Sequence, residues 1–101
     1  MIRHIVLFRF ISDDPALRAE QLAEVGRRSR ALVGVIPGLL ALDVHANCLD
    51  DPRNSDFALV GDFEDLASVE AYVPHPAHRE LIAYLSTVRI EGSRTAIDYE
   101  L

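Results

Sequence analysis

The segment Tyr72-Val73-Pro74-His75-Pro76-Ala77-His78 separates two stretches of the chain that both have helical character. Proline lacks a backbone N–H and has a fixed φ, so it ends a helix that reaches it but fits the first position of a new one. We therefore predict a short helix from Leu66 to Val73, capped by Asp65 and interrupted at Pro74. A second helix should begin at Pro76, with His75 as its N-cap.

His78 falls in the first turn of this second helix. The apolar residues that follow it at helical spacing are Leu81, Ile82, Leu85 and Val88. Residues three, four and seven positions apart share one helix face, so the imidazole should point inward with them. Burial and the partial positive charge of a helix N-terminus both disfavour an imidazolium. We expect a neutral His78 that can accept a proton, close to Tyr72; the alternative is a hydrogen-bonded core pair without catalytic activity.

Composition and charge restrict the possible functions. The chain has 101 residues, half of them apolar, which suits one domain spanning residues 1–101. Its 16 acidic and 10 basic side chains give a net charge of −6, which argues against a nucleic-acid or anionic-membrane surface. The lone Cys48 excludes an intrachain disulfide and a thiolate metal cluster. With no signal peptide or membrane span, we expect a soluble cytoplasmic protein.

The first half of the chain predicts a strand, a helix and a second strand. Residues 2–11 are rich in branched and aromatic side chains, and both faces of this strand are largely apolar, so both sides of its sheet need cover. Asp13-Asp14-Pro15 predicts the start of a helix. The helix should continue to Ile36 and end at Pro37-Gly38. Strand two should span residues 39–47, with alternate residues on one face: Leu40, Leu42, Val44 and Ala46.

The second half supplies two more strands around the interrupted helix. Residues 48–55 predict a polar hairpin loop rather than a calcium site, because they lack the glycine and terminal glutamate of such a loop. Strand three should span residues 56–63 and the last strand residues 91–101. The order β-α-β-β-α-β predicts an α+β, ferredoxin-like protomer, a four-stranded antiparallel sheet with the helices on one face.

The uncovered sheet face should carry apolar side chains, namely Ile5, Leu7, Ile11, Ala58 and Val60. An exposed apolar face of this extent typically forms an interface, and the simplest partner is the same sheet of a second copy of the chain. The sequence therefore predicts a homodimer formed through the sheet face.

Several motifs together resemble the stress-responsive A/B barrel domain (Dabb) family. They are the N-terminal Met1–Phe8, Ile36-Pro37-Gly38, Phe57-Ala58-Leu59-Val60 with Phe63-Glu64, Tyr72 followed by His75-Pro76-Ala77-His78, and Asp98-Tyr99. The resemblance spans the whole chain. It implies a ferredoxin-like protomer that pairs sheet to sheet into a dimeric α+β barrel.

The resemblance also implies roles for individual residues. Most family members have no assigned activity, but a few resemble olivetolic acid cyclase, which closes a linear polyketide by aldol condensation without a cofactor. In those cyclases the second histidine of the motif is the general base and the preceding tyrosine binds or polarises the substrate; they match His78 and Tyr72. A histidine of strand one that lines the cleft matches His4. A further histidine of strand three is replaced here by Phe57, which removes one polar anchor.

We therefore predict a cofactor-free site in which His78 and Tyr72 are catalytic. Its substrate-binding residues would be His4, Val6, Phe8, Phe57 and Leu59, around an apolar small-molecule ligand. Zinc binding by His75 and His78 is disfavoured, because a capping side chain and an inward side chain diverge. The alternatives are a non-catalytic small-molecule-binding or stress-protective dimer and, less favoured, an oxygenase of the same barrel superfamily.

Overall fold

The computed structural model describes residues 1–101 and contains four strands and three helices. Their bounds, in chain order, are β1 Ile2–Phe8, α1 Pro15–Arg30, β2 Leu39–Ala46, β3 Phe57–Phe63, α2 Leu66–Tyr72, α3 Pro76–Leu85 and β4 Thr95–Glu100. The sheet order is β2-β3-β1-β4, and all neighbouring strands are antiparallel. The predicted ferredoxin-like architecture is confirmed.

Strand β1 lies at the centre of the sheet between β3 and β4. Its side chains alternate, so that Ile2, His4, Val6 and Phe8 are buried beneath the helices. From β3, Phe57, Leu59 and Phe63 extend the same core. The other face is open and carries the apolar side chains Ile5, Leu7, Ala58, Val60 and Ile97, with Arg3 and Asp62 paired beside them.

Helix starts follow the predicted local chemistry. The Asp14 carboxylate accepts a hydrogen bond from the Leu17 N–H at 3.3 Å, ahead of Pro15. Asp65 accepts from the Ser68 N–H at 2.8 Å and caps α2. Each carboxylate satisfies one N–H that a helix N-terminus leaves unpaired.

The predicted end of the first helix was wrong. Helix α1 ends at Arg30, and non-helical turns connect it to β2 in place of the predicted helical segment up to Ile36. Gly34 and Gly38 have φ values of +89° and +81°, which a continuing right-handed helix does not allow. Leu32 and Ile36 are nevertheless buried, because the turns fold back over the core.

The predicted faces of β2 were wrong at the start of the strand, although Leu42 and Val44 face the core as predicted. The pairing of β2 with β3 shifts between Leu39 and Ala41, where an extra residue interrupts the ladder. Leu39 and Leu42 are therefore buried, while Leu40 is 45% exposed. A bulge shifts the alternation by one position, and the sequence gives no local sign of it.

Candidate functional site

The helix break at Pro74 places two aromatic side chains together. Tyr72 is the last residue of α2, and His78 lies in the first turn of α3. Between them, the His75 side chain caps α3 by accepting a hydrogen bond at Nδ1 from the Ala77 N–H, 3.1 Å away. The predicted N-cap and the predicted second helix start are both present.

His78 stacks on Tyr72. The two ring centroids are 3.8 Å apart, and the rings are tilted by 33°. His78 Nδ1 lies 3.0 Å from the Val73 carbonyl oxygen, which can only accept, so Nδ1 carries a proton and donates it. In the neutral ring this leaves Nε2 unprotonated. The backbone therefore selects the tautomer in which Nε2 can act as a base.

The environment favours a neutral His78. Burial lowers the pKa of His78 below its ordinary value of 6.5, against the opposing effect of the Val73 carbonyl, and electrostatic interactions with His4 and Arg94 lower it further. Burial also raises the pKa of Tyr72, whose side chain is 1% exposed, although Arg94 opposes this shift. At neutral pH the pair is a neutral imidazole beside a neutral phenol.

His4 contributes a second imidazole from the sheet. Its ring meets those of Tyr72 and Phe63 edge to face, at centroid distances of 6.1 and 6.2 Å. His4 Nδ1 lies 2.5 Å from Asp98 Oδ1, and the two residues are direct partners across β1 and β4. Asp98 holds the His4 ring in one orientation, as carboxylates commonly do for functional histidines.

These groups line a cavity of about 280 Å³ between sheet and helices. The sheet supplies His4, Val6, Phe8 and Leu59. The helical side supplies Tyr72 and His78 with four apolar residues: Val73, which follows α2, and Leu81, Ile82 and Leu85 of α3. The volume is slightly below the roughly 300–1,000 Å³ typical of small-molecule sites. An open depression of about 410 Å³ at the β2–β3 hairpin lies apart from Tyr72 and His78.

One of the residues that we expected at the site lies elsewhere. Phe57 is 2% exposed and packs against Phe8 and Phe10, with ring centroids 5.3 and 4.6 Å away, and it does not line the cavity. It faces the helices, as predicted, but it supports Phe8 from behind.

Three polar residues near the cavity were not identified from the sequence. Arg89 and Arg94 line the cavity, and Asp98 contacts His4. The position of Asp98 could have been found by pairing the last strand with β1, because the two residues are opposite each other. The arginines lie outside the strands and helices, after α3 and just before β4, where periodicity gives no signal.

Comparison with known families identifies the domain. A family model described as Stress responsive A/B Barrel Domain, or Dabb, matches residues 2–101. The chain belongs to the Dabb family. The chain is also 36% identical over 84 residues to the uncharacterized protein SCO4036 of Streptomyces coelicolor, covering 82% of this chain and 84% of that protein.

Solved structures with the same fold include two described as dimeric and of unknown function. One, from Bacteroides fragilis NCTC 9343, has a TM-score of 0.82 and 27% identity, covering 99% of this chain and 95% of that one. The other, from Thermobifida fusca YX, has a TM-score of 0.76 and 30% identity, covering 99% and 90%.

Two further observations describe the molecule as a whole. None of the helices combines the length and the apolar composition that a membrane crossing requires. No three His, Cys, Asp or Glu side chains come together as a metal-binding group, and His75 Nδ1 accepts the capping hydrogen bond from the Ala77 N–H.

Proposed function

We propose that this Dabb protein is a cofactor-independent enzyme that removes a proton next to the carbonyl group of a small apolar compound. The observation that carries the proposal is the stacked Tyr72–His78 pair in the cavity, with His78 Nδ1 bound to the Val73 carbonyl. That bond leaves Nε2 as the free base. General bases of this kind contribute roughly 10²–10⁴-fold to a rate.

The proposed reaction starts with transfer of the α proton to His78 Nε2. The electron pair of the broken C–H bond forms a carbon–carbon double bond, and the π pair of the carbonyl moves onto its oxygen, which gives an enolate. The Tyr72 hydroxyl donates a hydrogen bond to this oxygen and keeps its own proton, since burial raises the pKa of Tyr72. The enolate carbon then either recovers the proton from His78 Nε2 or attacks a second carbonyl of the same molecule in an aldol cyclisation. In the second case, the alkoxide formed by ring closure takes the proton from His78 Nε2, which regenerates the base.

The sequence contains no lysine, so all ten of its basic residues are arginines. A carbonyl substrate therefore cannot be activated as an imine on a lysine side chain, which is a common alternative route to the same carbanion. In our proposal, the carbonyl group is instead activated by a hydrogen bond from the Tyr72 hydroxyl. His4, held by Asp98, and the apolar Val6, Phe8 and Leu59 would position the substrate.

The proposal includes a homodimer formed through the open sheet face. Two related proteins, at 27% and 30% identity, are described as dimeric. Leu7 and Ile97 are exposed on this face, whereas helices cover the opposite one. We also keep a cytoplasmic location as part of the proposal, because the single exposed Cys48 suits a reducing compartment.

A second candidate is a non-catalytic binding or stress-protective dimer. It is favoured by the deep burial of Tyr72 and by the bond from His78 Nδ1 to the backbone, both of which are also expected of a purely structural pair. In that case His78 variants would lose stability and no turnover would exist to be lost.

Deuterium exchange separates the two candidates. Methyl hexyl ketone in D₂O would be followed by ¹H NMR with the wild type, His78→Gln, Tyr72→Phe and the control His45→Gln, which alters an exposed histidine outside the cavity. We expect His78→Gln to lower the enzymatic exchange rate by at least about 100-fold and Tyr72→Phe by about 10- to 100-fold. His45→Gln should match the wild type.

Circular dichroism of each variant would verify folding. Exchange by folded His78→Gln at the wild-type rate would refute the base assignment. Exchange by the wild type no faster than by buffer would refute the catalytic proposal and leave the binding protein as the better account.

A further inference from the structure

Two arginines line the cavity without a carboxylate partner in the protein. Arg3, Arg18, Arg27, Arg28, Arg30 and Arg53 all form ion pairs with Asp or Glu side chains. Arg89 and Arg94 form none, although acidic side chains outnumber basic ones by 16 to 10. The acidic group of the site, Asp98, is bound to His4.

The two arginines differ in how they are held. The Arg89 guanidinium lies 5.6 Å from the centroid of the Phe8 ring, which forms part of the cavity wall, so this side chain is oriented by the core. Arg94 is exposed and precedes β4, yet its charge lowers the pKa of both Tyr72 and His78, for which burial is the largest influence. Arg94 is therefore near enough to the Tyr72–His78 pair to act on a molecule bound beside it.

Because the remaining wall is mostly apolar, the cavity has two chemically different parts. Val6, Phe8, Leu59 and Leu81 accept a hydrocarbon body. The guanidinium groups offer several N–H donors in a plane, an arrangement that matches the two oxygens of a carboxylate.

We propose that the ligand of this cavity is an apolar carboxylic acid whose carboxylate binds Arg94, assisted by Arg89. A carboxylate ligand combined with the proposed carbonyl chemistry defines the substrate class as an apolar keto acid. This identification of the substrate rests on the proposed function. The carboxylate binds at the arginines and the reacting carbonyl lies at Tyr72 and His78. A volume of about 280 Å³ restricts it to a small molecule.

Binding of octanoate and octanamide, measured by isothermal titration calorimetry, tests the proposal without any turnover. The two compounds have the same length and differ in the charge of the head group. We expect octanoate to bind about tenfold more tightly to the wild type, a modest preference because Arg94 is exposed. In 0.5 M salt the preference should shrink, as expected for a screened charge.

Variants assign the preference to the arginines. Arg94→Gln should reduce it to about twofold or less, and Arg89→Gln should reduce it partly. The matched control is Arg79→Gln, which removes an exposed, unpaired arginine of α3 that does not line the cavity. This control changes the net charge by the same amount as Arg94→Gln but leaves the cavity lining unchanged. It should therefore retain the tenfold preference.

Three results would overturn the inference: equal binding of octanoate and octanamide by the wild type, an unchanged preference in Arg94→Gln, or octyl phosphate binding tenfold more tightly than octanoate. His78→Gln separates this proposal from the catalytic one, because it should lose proton exchange yet keep the octanoate preference. A wild type that prefers octanoate but catalyses no proton exchange would refute only the proposed function. A wild type that catalyses exchange but does not prefer octanoate would refute only the proposed carboxylate ligand.

Discussion

At the scale of single residues, the chemistry of the site depends on which nitrogen of His78 is free. Val73 supplies the carbonyl that binds Nδ1, and Val73 is positioned by the break at Pro74. The same break brings Tyr72 against the imidazole. One short interruption of a helix therefore determines the tautomer, the neighbour and the burial of the proposed base.

The pH dependence of exchange should follow the ionisation of His78. Burial, together with electrostatic interactions with His4 and Arg94, lowers its pKa below 6.5. The exchange rate should therefore rise with pH to a plateau, and the midpoint of the rise should lie below pH 6.5. An NMR titration of the His78 ring should give the same midpoint. A midpoint above 6.5 in the folded protein would contradict the assigned environment.

Stability should change in the same pH range. The unfolded chain protonates His78 near pH 6.5, whereas the folded protein resists protonation to a lower pH. The free energy of unfolding should therefore decrease as pH falls from 6.5 towards the folded-state pKa, with no contribution from His78 above that range. Urea titrations of His78→Gln should lack this part of the decrease.

At the scale of elements, the starts of helices were readable from the sequence and some of the ends and registers were not. Caps depend on neighbouring residues, so Asp14, Asp65 and His75 could be assigned directly. The end of α1 depends on turns packed over the core, and the bulge in β2 on its pairing with β3. Propensity and spacing carry no information about such distant partners.

The same distinction applies to the site. Tyr72 and His78 are six positions apart, and the prolines between them predict how they meet. The places of Arg94 and Asp98 depend on how β4 pairs with β1, which is a tertiary property. Phe57 was assigned to the correct face, but its position along β3 places it behind Phe8, beyond the cavity wall.

The turn between α1 and β2 provides a test at this scale. Gly38 has a φ of +81°, and a Cβ there would overlap the Ser68 side chain of α2. Gly38→Ala should lower the free energy of unfolding by about 2–4 kcal/mol, from backbone strain and steric overlap. Gly34→Ala, at a φ of +89° with open space around it, should cost only about 1 kcal/mol. Equal losses in urea unfolding would show that the overlap has no effect.

At the scale of the whole molecule, the sheet has one face beneath helices and one face without cover. The open face combines exposed apolar side chains with the Arg3–Asp62 pair, whose Nε and Oδ1 atoms are 2.9 Å apart. Paired charges leave such a face less costly to bury than a lone charge would. This composition suits association with a second copy.

Sedimentation velocity tests the proposed dimer with two variants of equal charge and similar exposure. Ile97, opposite Ile5 on the open face, is 59% exposed, and Val35, in the turns after α1, is 57% exposed. Ile97→Asp should convert the dimer to a monomer at micromolar concentration, because it would bury an unpaired charge. Val35→Asp should remain dimeric. A monomeric wild type, or an Ile97→Asp variant that stays dimeric, would refute the sheet-face dimer.

The position of β1 couples the cavity to the open face of the sheet. His4, Val6 and Phe8 point from its backbone into the cavity, while Ile5 and Leu7 point from the same backbone to the opposite side. Only the thickness of one extended chain separates the two environments. A tilt or slide of that chain must therefore reshape both at once, with no intermediate structure needed to transmit the movement.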